Sequence, residues 1–154
     1  MRNSYWLFGT RLIVLASHAD TAGRYDLVEN VLPPGAQIPP HRHTRYSEQL
    51  YVVAGELTAW VGERKVVVRH GENVFIPAST PHSLAATGDG QTHVLVVASP
   101  SGFARLVTET GTPDEGQGMP PTESFDMDLF LRVAAELGDE LVDPPGTLPT
   151  DAGR

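Results

Sequence analysis

An all-β architecture, a sandwich or a barrel, is predicted for most of this 154-residue chain, and three observations predict it. Short runs of strand-forming residues recur at regular intervals between Arg11 and Ala98, turn-forming Gly, Pro and Asp residues separate them, and helical periodicity is missing until after Ser99. The length suits one domain with an appended tail.

The segment up to Thr10 holds Tyr5, Trp6, Leu7 and Phe8, too aromatic to hang free, so it is expected to pack against the domain. Arg11 to Ser17 is an apolar strand and His18 to Gly23 a polar turn. Arg24 to Leu32 is a second strand in which Tyr25, Leu27 and Glu29 alternate with Asp26 and Val28. Pro33-Pro34-Gly35 ends it, and Pro39 and Pro40 stiffen the approach to His41, because proline fixes its own φ and extends its predecessor. Further strands follow at Leu50 to Ala54, Leu57 to Val61, Lys65 to Val68, Asn73 to Pro77, His82 to Ala86 and Thr92 to Ala98. Beyond Ser99 the period changes. Ser101 is placed to cap a helix from Gly102 to Thr108, Thr110 to Pro121 reads as a linker, and Asp126 to Leu137 is the clearest helix, with Leu129, Val133 and Leu137 on one stripe beside Phe130 and Ala134, and Gly138 to end it. Pro144 to Arg154 reads as a frayed end. The domain division is therefore 1–100 for the β unit and 101–154 for an acidic C-terminal extension.

Charge supports that division. Residues 1–100 carry eight Lys/Arg and eight Asp/Glu, whereas 101–154 carry three and eleven and so the whole net charge of −8. An acidic balance argues against a nucleic-acid partner, which needs a basic footprint. No apolar run approaches the roughly 20 residues of a membrane helix, and Leu12 to Ala16 is too short for a secretory signal of about 7 to 15 apolar residues. No membrane partner and a cytoplasmic location are the expectations. With no cysteine, any metal is held by nitrogen and oxygen.

The chemistry concentrates between Gly35 and Gly55. His41 and His43 are two residues apart, so on an extended chain they share a face and reach one point in space. Glu48 follows, and His82, aimed by the rigid turn Pro77-Ala78-Ser79-Thr80-Pro81, is the best candidate to complete the set. His18 and His70 read as surface residues; His93 has either a packing role or a place beside the pocket.

Gly35, His41, His43, Glu48 and Gly55 stand at the spacing of the first characteristic motif of the cupin superfamily, which this sequence resembles, and Gly71, Pro77 and His82 stand at the spacing of the second. Ser79 and Ala86 depart from it, where glycine and asparagine are usual; neither position holds a ligand in cupins. The resemblance implies a double-stranded β-helix, a jelly-roll barrel over about residues 5 to 100 with a short C-terminal helical extension, and a metal held by His41, His43, Glu48 and His82 at its mouth. In finer detail the chain is similar to small bacterial single-domain cupins of the quercetin dioxygenase-like kind, through Tyr5 to Thr10, Ser99 to Phe103 and Pro144 to Pro149.

Three imidazoles and a carboxylate suit one divalent transition metal, Fe, Mn, Ni, Co, Zn or Cu, without choosing among them. Alternation from Glu48 turns Leu50, Val52 and Ala54 to its face and Gln49, Tyr51 and Val53 away. Tyr46, Gln49, Tyr51, Trp60 and Phe75 are the larger side chains near the site in sequence, and the lining is expected to be mostly apolar, for a small-molecule substrate. Glu48 is also the candidate catalytic residue, a ligand able to accept a substrate proton as general base. The leading expectation is a metal-dependent dioxygenase acting with O₂ on a small aromatic or enolic, flavonol-like substrate. The alternative is a non-oxidative cyclase or isomerase of polyketide-like substrates, and a ligand-binding module ranks below both. Cupins commonly dimerise, so a homodimer is expected; the aromatic N-terminus and the helix around Leu129 are candidates for its interface or for packing on their own barrel.

Overall fold

Over residues 47–53, 73–76 and 92–98 buried side chains alternate with more exposed ones, whereas 57–61 and 82–86 are buried throughout, and two antiparallel sheets hide these apolar sides against each other. A computed structural model describes residues 3–116, 118–121 and 125–143. In chain order the elements are β1 (Ser4–Leu7), β2 (Thr10–Ala16), α1 (His18–Thr21), β3 (Asp26–Leu32), β4 (Gln37–His43), β5 (Ser47–Ala54), β6 (Glu56–Val61), β7 (Arg64–Arg69), β8 (Asn73–Ile76), β9 (His82–Ala86) and β10 (Thr92–Ser99). They are followed by α2 (Phe103–Thr110), β11 (Thr112–Pro113), α3 (Met127–Leu137) and β12 (Asp139–Leu141). One sheet runs β11-β1-β2-β3-β10-β5-β8 and the other β12-β4-β9-β6-β7. This is the expected all-β jelly roll with its short C-terminal helical part.

The register places Val28, Val96, Leu50 and Val74 side by side across the larger sheet, and Leu57, Val68 and Ala86 across the smaller one. All are buried in one core, where each Val or Leu contributes about 1.5–3 kcal/mol relative to exposure. Gly55 closes the β5–β6 turn at φ +84°, where a Cβ would meet Gln91 O at 2.6 Å, so only glycine fits.

Several local expectations are corrected. Pro39 and Pro40 lie inside β4, and there the pairing with β9 slips: Ile38 faces Leu84, but His41, not Pro40, faces His82. Two consecutive residues without an N–H cannot continue the ladder, and the extra residue is taken up as a bulge that brings His41 opposite His82. The turn after Ser17 is the short helix α1, because Asp20 reaches back to accept the Ser17 N–H at 2.9 Å. On β3 the expected alternation holds, with Asp26, Val28 and Asn30 turned inward, and Tyr25, just before the strand, is exposed. Ser101 does not cap α2; Asp26 does so from β3, its Oδ2 accepting Gly102 N–H at 2.6 Å and Ala104 N–H at 3.1 Å. Within the expected linker, Thr112–Pro113 pairs with β1.

The helix α3 begins on the expected Asp126, whose Oδ1 accepts Leu129 N–H at 2.9 Å, and ends on Gly138 at φ +76°. Its Phe130, Val133 and Ala134 enter the core of the barrel, as does Leu7 of β1, while Trp6 is buried beside it and donates its ring N–H to Asp114. Both candidate interface elements thus pack on their own chain. No helix among the described residues is long and apolar enough to cross a membrane. The expected frayed end, Pro144 to Arg154, lies outside the described residues.

Candidate metal centre

His41 and His43 come from β4, Glu48 from β5 and His82 from β9, so the site bridges both sheets at one end of the barrel. One ligand atom from each of the four lies within 4.8 Å of the others, a cluster that could hold a metal ion. The rings sit close, with centroids of His41 and His82 at 4.1 Å and of His41 and His43 at 4.8 Å. The turn that aims His82 keeps its shape without the usual glycine: Ser79 takes φ +66° and its N–H donates to His43 O at 2.7 Å. His18 and His70 lie on the surface, and His93 stands 3.4 Å from Glu29, away from the four.

Outer hydrogen bonds fix the ring tautomers. His41 Nδ1 meets Pro39 O at 2.7 Å and His82 Nδ1 meets Thr80 O at 2.9 Å. A carbonyl only accepts, so each Nδ1 carries the proton and each Nε2 keeps its lone pair for the interior. His43 Nδ1 meets Asp139 Oδ1 at 2.7 Å, and Tyr46 donates its hydroxyl to Oδ2 of the same carboxylate at 2.9 Å while stacking on the His43 ring. Neither Asp139 nor Tyr46 carried a motif signal. Asp139 reaches the site because β12 pairs with β4, Asp139 opposite His43 and Leu141 opposite His41.

Burial and neighbouring charge set the protonation. Burial, with His82 and His43 adding to it, holds His41 well below its usual value. Burial also lowers His82, against the opposing pull of Glu48. At His43 burial acts the same way but is outweighed by Glu48 and Asp139, which push the ring up to about 9. Burial would raise Glu48, yet His43 and then His82 hold it below the usual carboxylate range. Burial, then Asp139 and Glu48, raise Tyr46 well above the ordinary phenol, so it stays a neutral donor. Without a metal, the centre is a buried carboxylate paired with one imidazolium and flanked by two neutral imidazoles. His43 Nε2 lies against Glu48 Oε1 but out of line for a hydrogen bond, a buried ring nitrogen left for another partner. The Nε2 atoms of His41, His43 and His82 with the Glu48 carboxylate, all within 4.8 Å of one another, fit a divalent transition metal.

The four residues border an apolar cavity of about 70 Å³, which Phe103 of α2, Phe130 of α3 and Leu141 of β12 also line. Glu48 and Leu50 line it from β5, as alternation required. Gln49 and Tyr51 point outward, and Phe75 is 51% exposed on the outer surface; Trp60 is buried outside the lining. Of the larger side chains named from the sequence, Tyr46 alone is at the centre.

A cupin domain profile matches residues 28–98, which hold all four clustered residues. The chain carries a cupin domain. Over 132 residues, 85% of this chain, it is 27% identical to quercetin 2,3-dioxygenase of Bacillus subtilis (strain 168), of which it spans 39%. Among solved structures it is similar to KdgF from Halomonas sp., with a TM-score of 0.55 at 24% identity over 60% of this chain and 79% of that one, a likeness of fold. A recombinant oxalate oxidase in complex with glycolate is similar with a TM-score of 0.54 at 25% identity, over 62% of this chain and 53% of the oxidase.

Proposed function

We propose that this cupin is a metal-dependent dioxygenase that binds a small aromatic or enolic substrate, flavonol-like in its adjacent enol and carbonyl oxygens, and adds both atoms of O₂ to it. The observation that carries this reading is the buried Glu48 carboxylate among three imidazoles at the border of an apolar cavity. The 27% identity to a quercetin dioxygenase supports the substrate class. His41, His43, Glu48 and His82 are the residues proposed to hold the metal, with Glu48 as the catalytic base. When bound there, a divalent transition metal supplies Lewis-acid polarisation of the substrate oxygens and a redox partner for O₂.

The chain's own groups do the rest. Glu48, ionised at neutral pH, takes the enol proton at a carboxylate oxygen. Leu50, Leu84, Val96 and Phe103 exclude water from the substrate's apolar body. A ligand of two or three rings needs a pocket of roughly 300 Å³ or more, far above the present cavity of about 70 Å³, so binding requires the cavity to open.

The test is O₂ uptake by metal-loaded protein with flavonols and diketones. Uptake in step with substrate loss is expected, and Glu48→Gln should retain much of the metal while losing about a hundredfold in rate. Equal turnover without O₂, or with zinc, would point to the non-oxidative cyclase or isomerase chemistry instead. Full activity in Glu48→Gln would reduce Glu48 to a ligand.

A further inference from the structure

The cavity has a second polar feature, remote from the four clustered residues. Asn30 lines it from β3 and is 5% exposed, yet its Oδ1 has no hydrogen-bond partner among the described residues. Its surroundings offer it none. Leu12 faces it from β2, Val94 faces it from β10, and Leu32 and Leu84 line the same space. Thr10, near the same end, already donates its hydroxyl to Leu7 O at 3.0 Å. A buried amide oxygen facing only hydrocarbon is costly, and native chains keep few of them. Leucine would fill the position at no such cost, so an unpaired asparagine in a ligand cavity points to a partner that arrives with the ligand.

Register gives its separation from the reacting end. Asn30 is opposite Val94, Val94 is opposite Val52, and Glu48 lies four residues back along β5 from Val52. Four residues of strand amount to roughly 13 Å along the sheet, and both side chains lean into the barrel. We infer that Asn30 is a specificity-determining subsite whose amide oxygen accepts a hydrogen bond from a hydroxyl at the far end of the substrate. The substrate class narrows to aromatic compounds of linked or fused rings, with chelating oxygens at one end and a phenolic hydroxyl at the other. A site built to bond a hydroxyl rejects the analogue lacking it more strongly than an apolar pocket rejects a change of size. The inference rests on the proposed substrate class, and its test is arranged so that the two can fail separately.

The measurement is equilibrium binding to the metal-loaded full chain of 3-hydroxyflavone, which has the chelating oxygens alone, and of its 7-hydroxy and 4′-hydroxy derivatives. At least one hydroxylated probe should bind wild type about tenfold tighter than the parent, and in Asn30→Leu the hydroxylated and parent probes should bind equally. A preference that survives Asn30→Leu, or no preference in wild type, would overturn the subsite. If none of the flavones binds, the flavonol reading fails, and phenol against toluene decides Asn30 alone: a phenol preference lost in Asn30→Leu supports the subsite, and its absence overturns it. Thermal unfolding supplies a readout free of ligand. Asn30→Leu should raise the midpoint by relieving an unpaired amide, whereas a lowered midpoint would show Asn30 already paired in the free protein, by buried water, and would overturn the inference.

Discussion

At the scale of single residues, the centre depends on which nitrogen of each histidine faces inward. For His41 and His82 the choice is enforced by backbone carbonyls that no side-chain change removes. For His43 it depends on one carboxylate, Asp139. Asp139→Asn keeps the shape but can present an amide N–H to Nδ1 and favour the wrong tautomer. Apparent metal affinity, read by competition with a chromogenic chelator, should fall about 10- to 100-fold, and the His41 and His82 partners should be untouched. An unchanged affinity would make Asp139 a structural tie only. Proton competition follows from the same pair. His43, raised to about 9 when metal-free, holds a proton that stabilises the fold fully below its ordinary value and fades as pH rises through about 9. Metal must displace that proton, so affinity measured between pH 7 and 9 should rise about tenfold per unit and flatten above. His41 and His82, both lowered, add no such slope in that window. The four clustered residues were legible because their spacing is local to two short motifs. Asp139 was not, since nothing in a Gly-Asp-Glu triplet after a helix says which strand it will meet.

At the scale of elements, the C-terminal extension is stitched into the barrel at three places. Asp26 caps α2 from β3, Thr112–Pro113 pairs with β1, and β12 pairs with the strand that carries His41 and His43. Phe130 anchors α3 between them, 5.0 Å from the Phe8 ring and 5.7 Å from Phe125. Phe130→Ala should cost about 3–5 kcal/mol in chemical denaturation, the usual range for a buried aromatic; a cost below about 1 kcal/mol would mean that α3 packs loosely on the barrel. The helix itself was readable from its apolar stripe and from Gly138. The cap of α2 was not, because Ser101 satisfied the local pattern while the carboxylate that does the work lies 76 residues away. Two- and three-residue strands such as β11 and β12 leave no periodicity to read, and the bulge at Pro39 and Pro40 is set by pairing with β9, which a single sequence does not display.

At the scale of the whole molecule, two sheets and a C-terminal cap enclose one apolar cavity with two polar poles, the His/His/Glu/His cluster and Asn30. An all-β sandwich or barrel was evident from strand rhythm and turn residues, and the jelly roll from the resemblance carried by the two histidine motifs; the packing of the C-terminal extension against the cavity was not, because the pairing of β12 with β4 leaves no local pattern. The central claim is that His41, His43, Glu48 and His82 converge on one divalent metal. Its most direct test is a crystal of the full chain grown with manganese and measured for anomalous scattering. The expected result is one peak per chain within bonding distance of His41, His43 and His82 Nε2 and a Glu48 oxygen, absent in His82→Ala. A peak elsewhere, or none where the four side chains meet, would contradict it.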